Sequence, residues 1–154
     1  LEASDIVARP VHYNVTILAL GMAGKWKDAE RLFHRMDDVG VDRNFKHYSA
    51  LLNAYSYGKE WSLVLDMFAQ MKQMGIHLIT QDYTCAILAH GWREDWQQAW
   101  ELFEEMEREG IERNAGLWKK MNAILYHAVE WQLVLQVYEN MREAGVAANA
   151  TVCA

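Results

Sequence analysis

The chain has 154 residues, of which 52% are hydrophobic and 23% charged, which excludes intrinsic disorder and fits one folded domain or a short repeat array. One proline and nine glycines supply too few turn residues for an all-β sandwich or barrel, and no apolar run approaches the ~18 residues that cross a membrane. The 15 basic and 21 acidic residues give a net charge of −6, which is unusual for a freestanding nucleic-acid-binding protein.

The sequence repeats itself with a period of 35 residues. Five columns of like residues show the period: Trp26, Trp61, Trp96 and Trp131; Met36, Met71, Met106 and Met141; Gly40, Gly75, Gly110 and Gly145; Phe33, Phe68, Phe103 and Tyr138; Tyr13, Tyr48, Tyr83 and Trp118. A fixed period of this length is typical of an array in which each repeat is one supersecondary unit. The predicted array has a lead-in, four repeats and the start of a further, truncated repeat: 1–9, 10–44, 45–79, 80–114, 115–149 and 150–154.

The first half of each repeat is predicted to be a helix. In the first repeat, Tyr13, Ile17 and Leu20 are spaced by four and three residues, which places them on one helical face. Gly24 and Lys25 then break the pattern. The corresponding predicted helices along the chain are 12–23, 47–58, 82–93 and 117–128.

The second half of each repeat is predicted to be a helix that begins at tryptophan and ends before glycine. After Trp26, apolar residues form one stripe along the helix: Ala29, Leu32, Phe33 and Met36. Gly40 then stands where the end of a helix favours a residue in the left-handed conformation. Neither helix of a pair can bury its stripe alone, so we expect the pairs to stack into an all-α solenoid.

Two columns are expected to shape the contacts between stacked pairs. Ala19, Ala54 and Ala89 recur in the first helices and allow close packing, but Ile124 breaks this column. The tryptophan at the start of each second helix is large enough to cover the seam between neighbouring repeats. We therefore interpret the apolar columns as scaffold rather than as a cofactor site.

The sequence contains no motif that predicts catalysis. Six histidines are scattered without metal-ligand spacing, and Cys85 and Cys153 form neither a Cys-x-x-Cys pair nor a disulfide scaffold. A glycine-rich phosphate-binding loop is also absent. The sequence therefore predicts a protein that is not an enzyme, with no catalytic residues, no metal site, no cofactor and no small-molecule substrate.

The repeat resembles that of the pentatricopeptide repeat family, in which a 35-residue period combines an aromatic residue early in the first helix with Leu-Phe-x-x-Met before glycine in the second. The segment from Ala99 to Asn114, AWELFEEMEREGIERN, carries the resemblance most fully. The resemblance implies a right-handed superhelix of helix-turn-helix repeats. It also implies that the protein binds single-stranded RNA, one base per repeat, in a mitochondrion or a chloroplast.

The resemblance further implies that the fifth and last residues of each repeat read the RNA bases. The four pairs are Asn14 with Asn44, Ser49 with Ile79, Thr84 with Asn114, and Lys119 with Asn149. The first pair resembles a pyrimidine reader and the third an adenine reader, whereas the other two match no good reader. Asparagine at the repeat ends also has a structural explanation, since it favours turns and caps between helices. Tyr57, Trp92 and Tyr126 are expected on the same surface, where aromatic rings stack on bases or pack on a protein.

The chain departs from the family pattern at three positions of the repeat, of which the tryptophan column is one. Before the last residue, where proline is usual, it has Arg43, Leu78, Arg113 and Ala148. Late in the first helix, where lysine is common, it has Met22, Tyr57, Trp92 and His127. Since the missing lysines would face RNA phosphates, we expect RNA binding to depend only weakly on salt.

A second function stays open, in which the solenoid binds proteins. The acidic excess lies in the second halves of the repeats, and the nearly neutral first halves lack a basic stripe. A row of large apolar residues on the second helices is predicted to contact proteins or, alternatively, to pack against the next repeat: Leu63, Leu65, Trp100, Leu133 and Leu135. This row favours a structural subunit of a large organellar assembly, such as a ribosome or a photosynthetic complex.

Overall fold

The computed structural model describes residues 10–128 and 130–145, without the side chains of residues 10, 11 and 131. This part of the chain contains no β-strand and forms eight α-helices of 13 residues each. They are α1 (Pro10–Met22), α2 (Trp26–Asp38), α3 (Phe45–Tyr57), α4 (Trp61–Gln73), α5 (Thr80–Trp92), α6 (Trp96–Arg108), α7 (Ala115–His127) and α8 (Trp131–Glu143). We call α1, α3, α5 and α7 the first helices and the others the second helices.

The helices lie close to their predicted positions. Each second helix begins at its tryptophan, as predicted, and each first helix begins two residues before its predicted start. The predicted lead-in at 1–9 and the truncated repeat at 150–154 lie outside the described residues.

Polar side chains explain the early starts of three first helices, because they bind amide groups that the first turn leaves without partners. Oδ1 of Asn44 accepts a hydrogen bond from the Lys46 amide at 3.0 Å, at the start of α3. At the start of α7, Oδ1 of Asn114 accepts from the Leu117 amide at 2.9 Å. At the start of α5 the accepting side chain lies inside the helix and the amide lies before it. Oδ2 of Asp82 accepts a hydrogen bond from the Ile79 amide at 2.9 Å.

A left-handed glycine ends each second helix, as the sequence predicts. Gly40 has a φ of +71°, and the amide of the next residue, Val41, donates to the carbonyl of Met36 at 2.9 Å. This bond satisfies a carbonyl of the last helical turn, and a side chain at the same φ would be strained. The equivalent glycines are Gly75, Gly110 and Gly145.

The chain divides between Leu78 and Ile79 into two compact units, which we call unit 1 and unit 2. Each unit has its own core, formed by the predicted apolar columns. The fully buried residues include Met36, Met71 and Ile17 in unit 1 and Phe103, Met106 and Trp118 in unit 2. Tyr138 departs from its column, since 37% of this residue is exposed and no described helix follows α8 to cover it.

Small residues allow two first helices to approach closely. In unit 1, a Cβ atom added to Gly21 would lie 2.5 Å from the Cα of Ala54, so α1 and α3 are in contact through their backbones. In unit 2, a Cβ atom at Gly91 would lie 2.6 Å from Cδ1 of Ile124, so a side chain fills the space between α5 and α7. The expectation from the alanine column is confirmed at Ala54, and Ile124 interrupts the close packing.

Trp26 covers the seam between α2 and α3, as predicted. Its ring packs edge-on against Tyr55 with a centroid distance of 5.9 Å, and a Cβ atom added to Gly58 would overlap with the Trp26 ring. The Tyr55 hydroxyl donates a hydrogen bond of 2.6 Å to Oε1 of Glu30. A ring contact and a buried hydroxyl therefore fix α2 to the next first helix.

Arg43 and Arg113 stand where the related repeats usually have proline, and both bind the preceding second helix. Arg43 donates to the carbonyl of Phe33 at 3.2 Å and forms an ion pair with Asp37. Arg113 donates to the carbonyl of Phe103 at 3.5 Å and pairs with a glutamate at 3.1 Å. An arginine side chain thus holds each of two linkers, the one before α3 and the one before α7, against the preceding second helix.

Candidate nucleic-acid interface

The fifth residues of the predicted repeats lie on the first helices, and the structure buries them to different degrees. Asn14 is half-buried and Lys119 is exposed, whereas Ser49 and Thr84 are only 6% and 4% exposed. The Thr84 hydroxyl donates to the carbonyl of Thr80 at 2.8 Å. The Ser49 hydroxyl has no hydrogen-bond partner among the described residues. Thr84 and Ser49 therefore lie deeper than the sequence pattern indicates.

The last residues of the predicted repeats lie in the linkers before the next first helices. Asn44 and Asn114 are exposed, Ile79 is half-buried, and Asn149 lies outside the described residues. Oδ1 of both asparagines caps a helix, whereas the Nδ2 amino group of each takes no part in the cap and can donate hydrogen bonds to a ligand. An amino group of this kind donates hydrogen bonds to acceptor atoms on base edges.

The predicted pairs are only partly brought together. Asn14 and Asn44 belong to unit 1, and Thr84 and Asn114 belong to unit 2, but neither pair is joined by a hydrogen bond in the described structure. In the second pair, Ser49 and Ile79 belong to different units. In the fourth pair, Asn149, the partner of Lys119, lies outside the described residues. The placement of these residues leaves the base-reading assignment a prediction.

Large exposed side chains mark the C-terminal ends of the first helices. Trp92 is 65% exposed and Tyr126 is 67% exposed, and Met22 and Tyr57 are also open to solvent. Met22, Tyr57 and Trp92 occupy the position at which the related repeats commonly have lysine. The aromatic residues among these side chains offer flat surfaces on which nucleic-acid bases can stack.

The first helices present no exposed carboxylate. Asp82 is the only acidic residue within α1, α3, α5 and α7, and it is fully buried while it accepts the Ile79 amide. The basic residues on these helices are Lys46, Lys119 and Lys120, and all three are exposed. The charged side chains exposed on the first helices are therefore all positive, although the net charge of the whole chain is negative. The net charges of the first halves of the repeats did not show this, because each half also includes linker residues.

The apolar row on the second helices is largely covered. Leu63, Leu65, Leu133 and Trp100 are half-buried, and the Trp100 ring lies 5.7 Å from the Phe103 ring, centroid to centroid. Leu135, by contrast, is 55% exposed. The predicted row thus offers one open side chain in the described structure.

Three titratable side chains have pKa values that are shifted by their packing between helices. Burial raises the pKa of the Tyr55 and Tyr83 hydroxyls, and their hydrogen bonds to Glu30 and Glu105 raise it further. Burial also lowers the pKa of His90, against the opposing charge of a nearby aspartate. All three groups join helices rather than face solvent, so they are not candidates for acid–base chemistry.

The described residues contain no group of three or more His, Cys, Asp or Glu side chains that could hold a metal ion. Among the same residues, no helix combines the length and the apolar character needed to span a membrane.

Family models for pentatricopeptide repeats match three segments of the chain. The model described as a pentatricopeptide repeat domain matches residues 31–77, and the model described as a PPR repeat matches residues 11–41 and 82–111. Together these segments cover more than half of the sequence. No curated protein sequence matches the chain significantly.

Solved structures of pentatricopeptide repeat proteins have the same fold. PPR10 from maize superposes on 99% of the chain with a TM-score of 0.73 at 20% identity, and PPR10 was also solved in complex with an 18-nt psaJ RNA element. The PPR domain of Arabidopsis thaliana protein-only RNase P 1, in complex with tRNA, superposes on 97% of the chain with a TM-score of 0.79 at 16% identity. The chain spans 22% of the length of PPR10 and 79% of the length of the RNase P domain.

Proposed function

Because the chain belongs to the pentatricopeptide repeat family, we propose that it binds single-stranded RNA through the exposed surface of its first helices. The observation that carries the proposal is the charge of these helices, which expose Lys46, Lys119 and Lys120 and no carboxylate. RNA phosphates are repelled by exposed carboxylates and attracted by lysines. The acidic second helices give the chain its negative net charge without opposing RNA at this surface.

Base recognition in this proposal depends on the linker asparagines. Asn44 and Asn114 hold their Oδ1 atoms on helix starts, so each presents an Nδ2 donor in a fixed position. Arg43 and Arg113, one residue earlier, bind the preceding helices and so restrict the movement of both linkers. The fixed donors support a preference for bases with an acceptor at the facing edge.

The PPR proteins solved with an RNA element and with tRNA support RNA as the ligand class. We extend the proposal to four repeats in a right-handed superhelix, in a mitochondrion or a chloroplast, on the basis of the family resemblance. In this proposal the chain is a binding module that performs no catalysis itself.

Fluorescence anisotropy with labelled RNA tests the proposed function. The chain is expected to bind a mixed-sequence single-stranded RNA more tightly than the corresponding RNA duplex, because the bases of a duplex are not open to the linker donors. Binding is expected to weaken as salt rises. No binding to single-stranded RNA at low salt, or equal affinity for the duplex, would contradict the proposal.

The exposed side chain of Leu135 favours a second candidate function, in which the second helices bind a protein of a large organellar assembly. Replacement of Leu135 with Gln is expected to leave the fold intact, since the side chain is open to solvent. If this candidate is right, the variant loses co-purifying proteins while its thermal stability is unchanged. Loss of RNA binding in the same variant would argue against it.

A further inference from the structure

One side of each second helix is open to solvent. In α4, which has helices before and after it in the chain, five positions spaced by three and four residues are all exposed: Ser62, Asp66, Ala69, Gln70 and Gln73. Positions with this spacing lie together on one side of a helix. The exposure of this side therefore belongs to the second helices themselves, and the side carries different charges from one helix to the next.

The charge on this side reverses between α2 and α6. The equivalent positions, 70 residues apart along the chain, are Arg31 and Glu101, His34 and Glu104, Arg35 and Glu105, and Asp38 and Arg108. On α4 the same positions hold a single charge, that of Asp66. We call the side formed by Lys27, Arg31 and Arg35 the basic face of α2, and the side formed by Glu101, Glu104 and Glu105 the acidic face of α6.

Most charges of the two faces are not neutralised within the described part of the chain. Arg35, Glu101 and Glu104 form no ion pair with the described residues. Arg31 pairs with Asp28 at 3.0 Å, but 79% of the Arg31 side chain stays exposed. These charges are therefore available to a partner.

We propose that the basic face of α2 docks on the acidic face of α6 in a second copy of this chain. Charge complementarity selects this partner, because each face of one copy meets the opposite charge on the other. Whether the two helices approach in parallel or antiparallel, both arginines of α2 lie opposite glutamates, since Glu101 and Glu105 have the same spacing as the arginines. Exposed ion pairs contribute little affinity each, so the contact is expected to be weak and reversible.

The charges around the two faces fit the same contact. Arg108, the basic residue of α6, meets Asp38 in the parallel approach and Asp28 in the antiparallel one. The net charge of −6 repels two copies at long range, so attraction arises only where a basic face meets an acidic one. RNA phosphates would be attracted to α2 but repelled by α6, whereas a second copy accounts for both faces.

Sedimentation velocity of the chain without RNA tests the contact. At low salt the sedimentation coefficient is expected to rise with protein concentration. The association constant is expected to fall about tenfold or more between about 20 mM and about 200 mM salt, because salt screens exposed charges. Arg31→Glu/Arg35→Glu, which we call the α2 variant, is expected to stay monomeric.

The control variant Lys25→Glu/Lys59→Glu makes the same change in net charge outside both faces. Lys25 and Lys59 lie in turns, and Glu60 and Glu94 stand at the equivalent positions one period later, so the fold accommodates glutamate there. This control is expected to associate like the unchanged chain. Equal loss of association in the control and the α2 variant would overturn the inference, because net charge alone would then explain it.

A second charge reversal tests whether the two faces meet each other. The α6 variant, Glu101→Arg/Glu104→Arg, leaves Glu105 bonded to Tyr83 and is expected to be monomeric alone. An equal mixture of the α2 and α6 variants is expected to associate, since one variant then has two acidic faces and the other two basic faces. Both variants keep a negative net charge, because each reversal changes the value of −6 by four, so net charge does not attract them.

Three results would overturn the inference. The first is a chain that stays monomeric at low salt at every concentration. The second is a mixture of the two variants that does not associate although circular dichroism shows both to be folded. The third is an α2 variant that associates like the unchanged chain but binds single-stranded RNA more weakly, which would assign the basic face to nucleic acid.

Discussion

The guanidinium of Arg43 stacks on the ring of Phe33 while it binds the carbonyl of the same residue. Its central carbon lies 4.1 Å from the ring centroid, and Nε donates to the carbonyl oxygen at 3.2 Å. Arg113 has the same relationship to Phe103, at 4.6 Å from the ring and 3.5 Å from the carbonyl. A planar guanidinium can make both contacts at once, whereas the ammonium of lysine cannot.

Replacement of Arg43 with Ala is expected to lower the free energy of unfolding by about 2 kcal/mol. The variant loses a charge-assisted hydrogen bond and a cation–π contact, each of which contributes about 1 kcal/mol or more when partly buried. Urea unfolding measures the loss. The control is Asp37→Asn, which removes the ion pair alone and is expected to cost less than about 1 kcal/mol because Asp37 is largely exposed. An equal loss in both variants would show that the ion pair dominates.

In two of the turns between the helices of a pair, a residue other than glycine adopts the left-handed conformation and strains the backbone. Lys59 and Glu94 have φ values of +59° and +60°, at the position where Gly24 has +76°. Each strained residue is expected to cost about 1 kcal/mol, so Lys59→Gly and Glu94→Gly should each raise the free energy of unfolding by about that amount. Thermal and urea unfolding measure the change. As a control, Gly24→Ala is expected to destabilise, and a loss of stability in Lys59→Gly would contradict the argument.

The period of the sequence was enough to predict the helices, the buried columns and the glycine ends, because each depends on residues close together in the chain. It could not predict the clamp of Arg43 on Phe33, since this contact needs the actual path of the linker. The preference of asparagine for helix caps pointed to the helix starts at Asn44 and Asn114, but not to the side-chain atom that serves them. The burial of Ser49 and Thr84 depends on how neighbouring helices pack, which spacing alone does not contain.

Unfolding at alkaline pH is expected to report on the buried tyrosines. The pKa values of Tyr55 and Tyr83 are raised in the folded protein, so above about pH 10 the unfolded chain loses these protons while the folded chain keeps them. The stability that these two hydroxyls contribute is therefore fully present below pH 10 and is lost as the pH rises above it. Tyr55→Phe should make the fall above pH 10 less steep, as measured by urea unfolding. The exposed Tyr57→Phe is the control, and an equal effect there would contradict the assignment.

Trp26 and Gly58 are expected to be strongly coupled, since the ring leaves no space for a side chain at Gly58. Trp26→Ala should cost about 3 kcal/mol, as for a large side chain that is mostly buried. Gly58→Ala alone should cost about 1–3 kcal/mol through overpacking. In the double variant the added methyl group enters the space left by the ring, so the combined loss should be smaller than the sum of the two. Additive losses in urea unfolding would show that the two residues do not compete for space.

Asn114 is expected to have two separable roles, as a helix cap through Oδ1 and as a base contact through Nδ2. Asn114→Ala removes both groups, so it should cost about 1 kcal/mol of stability and about 1–3 kcal/mol of affinity for RNAs with the preferred base. Asn114→Ser keeps an oxygen that can accept the Leu117 amide but lacks the amino group, so it should keep the stability and lose the base preference. Urea unfolding measures the first effect, and anisotropy with four RNAs that differ at one base measures the second. If Asn114→Ser keeps the full base preference, Asn114 is only a cap, and the recognition of bases must lie elsewhere on the first helices.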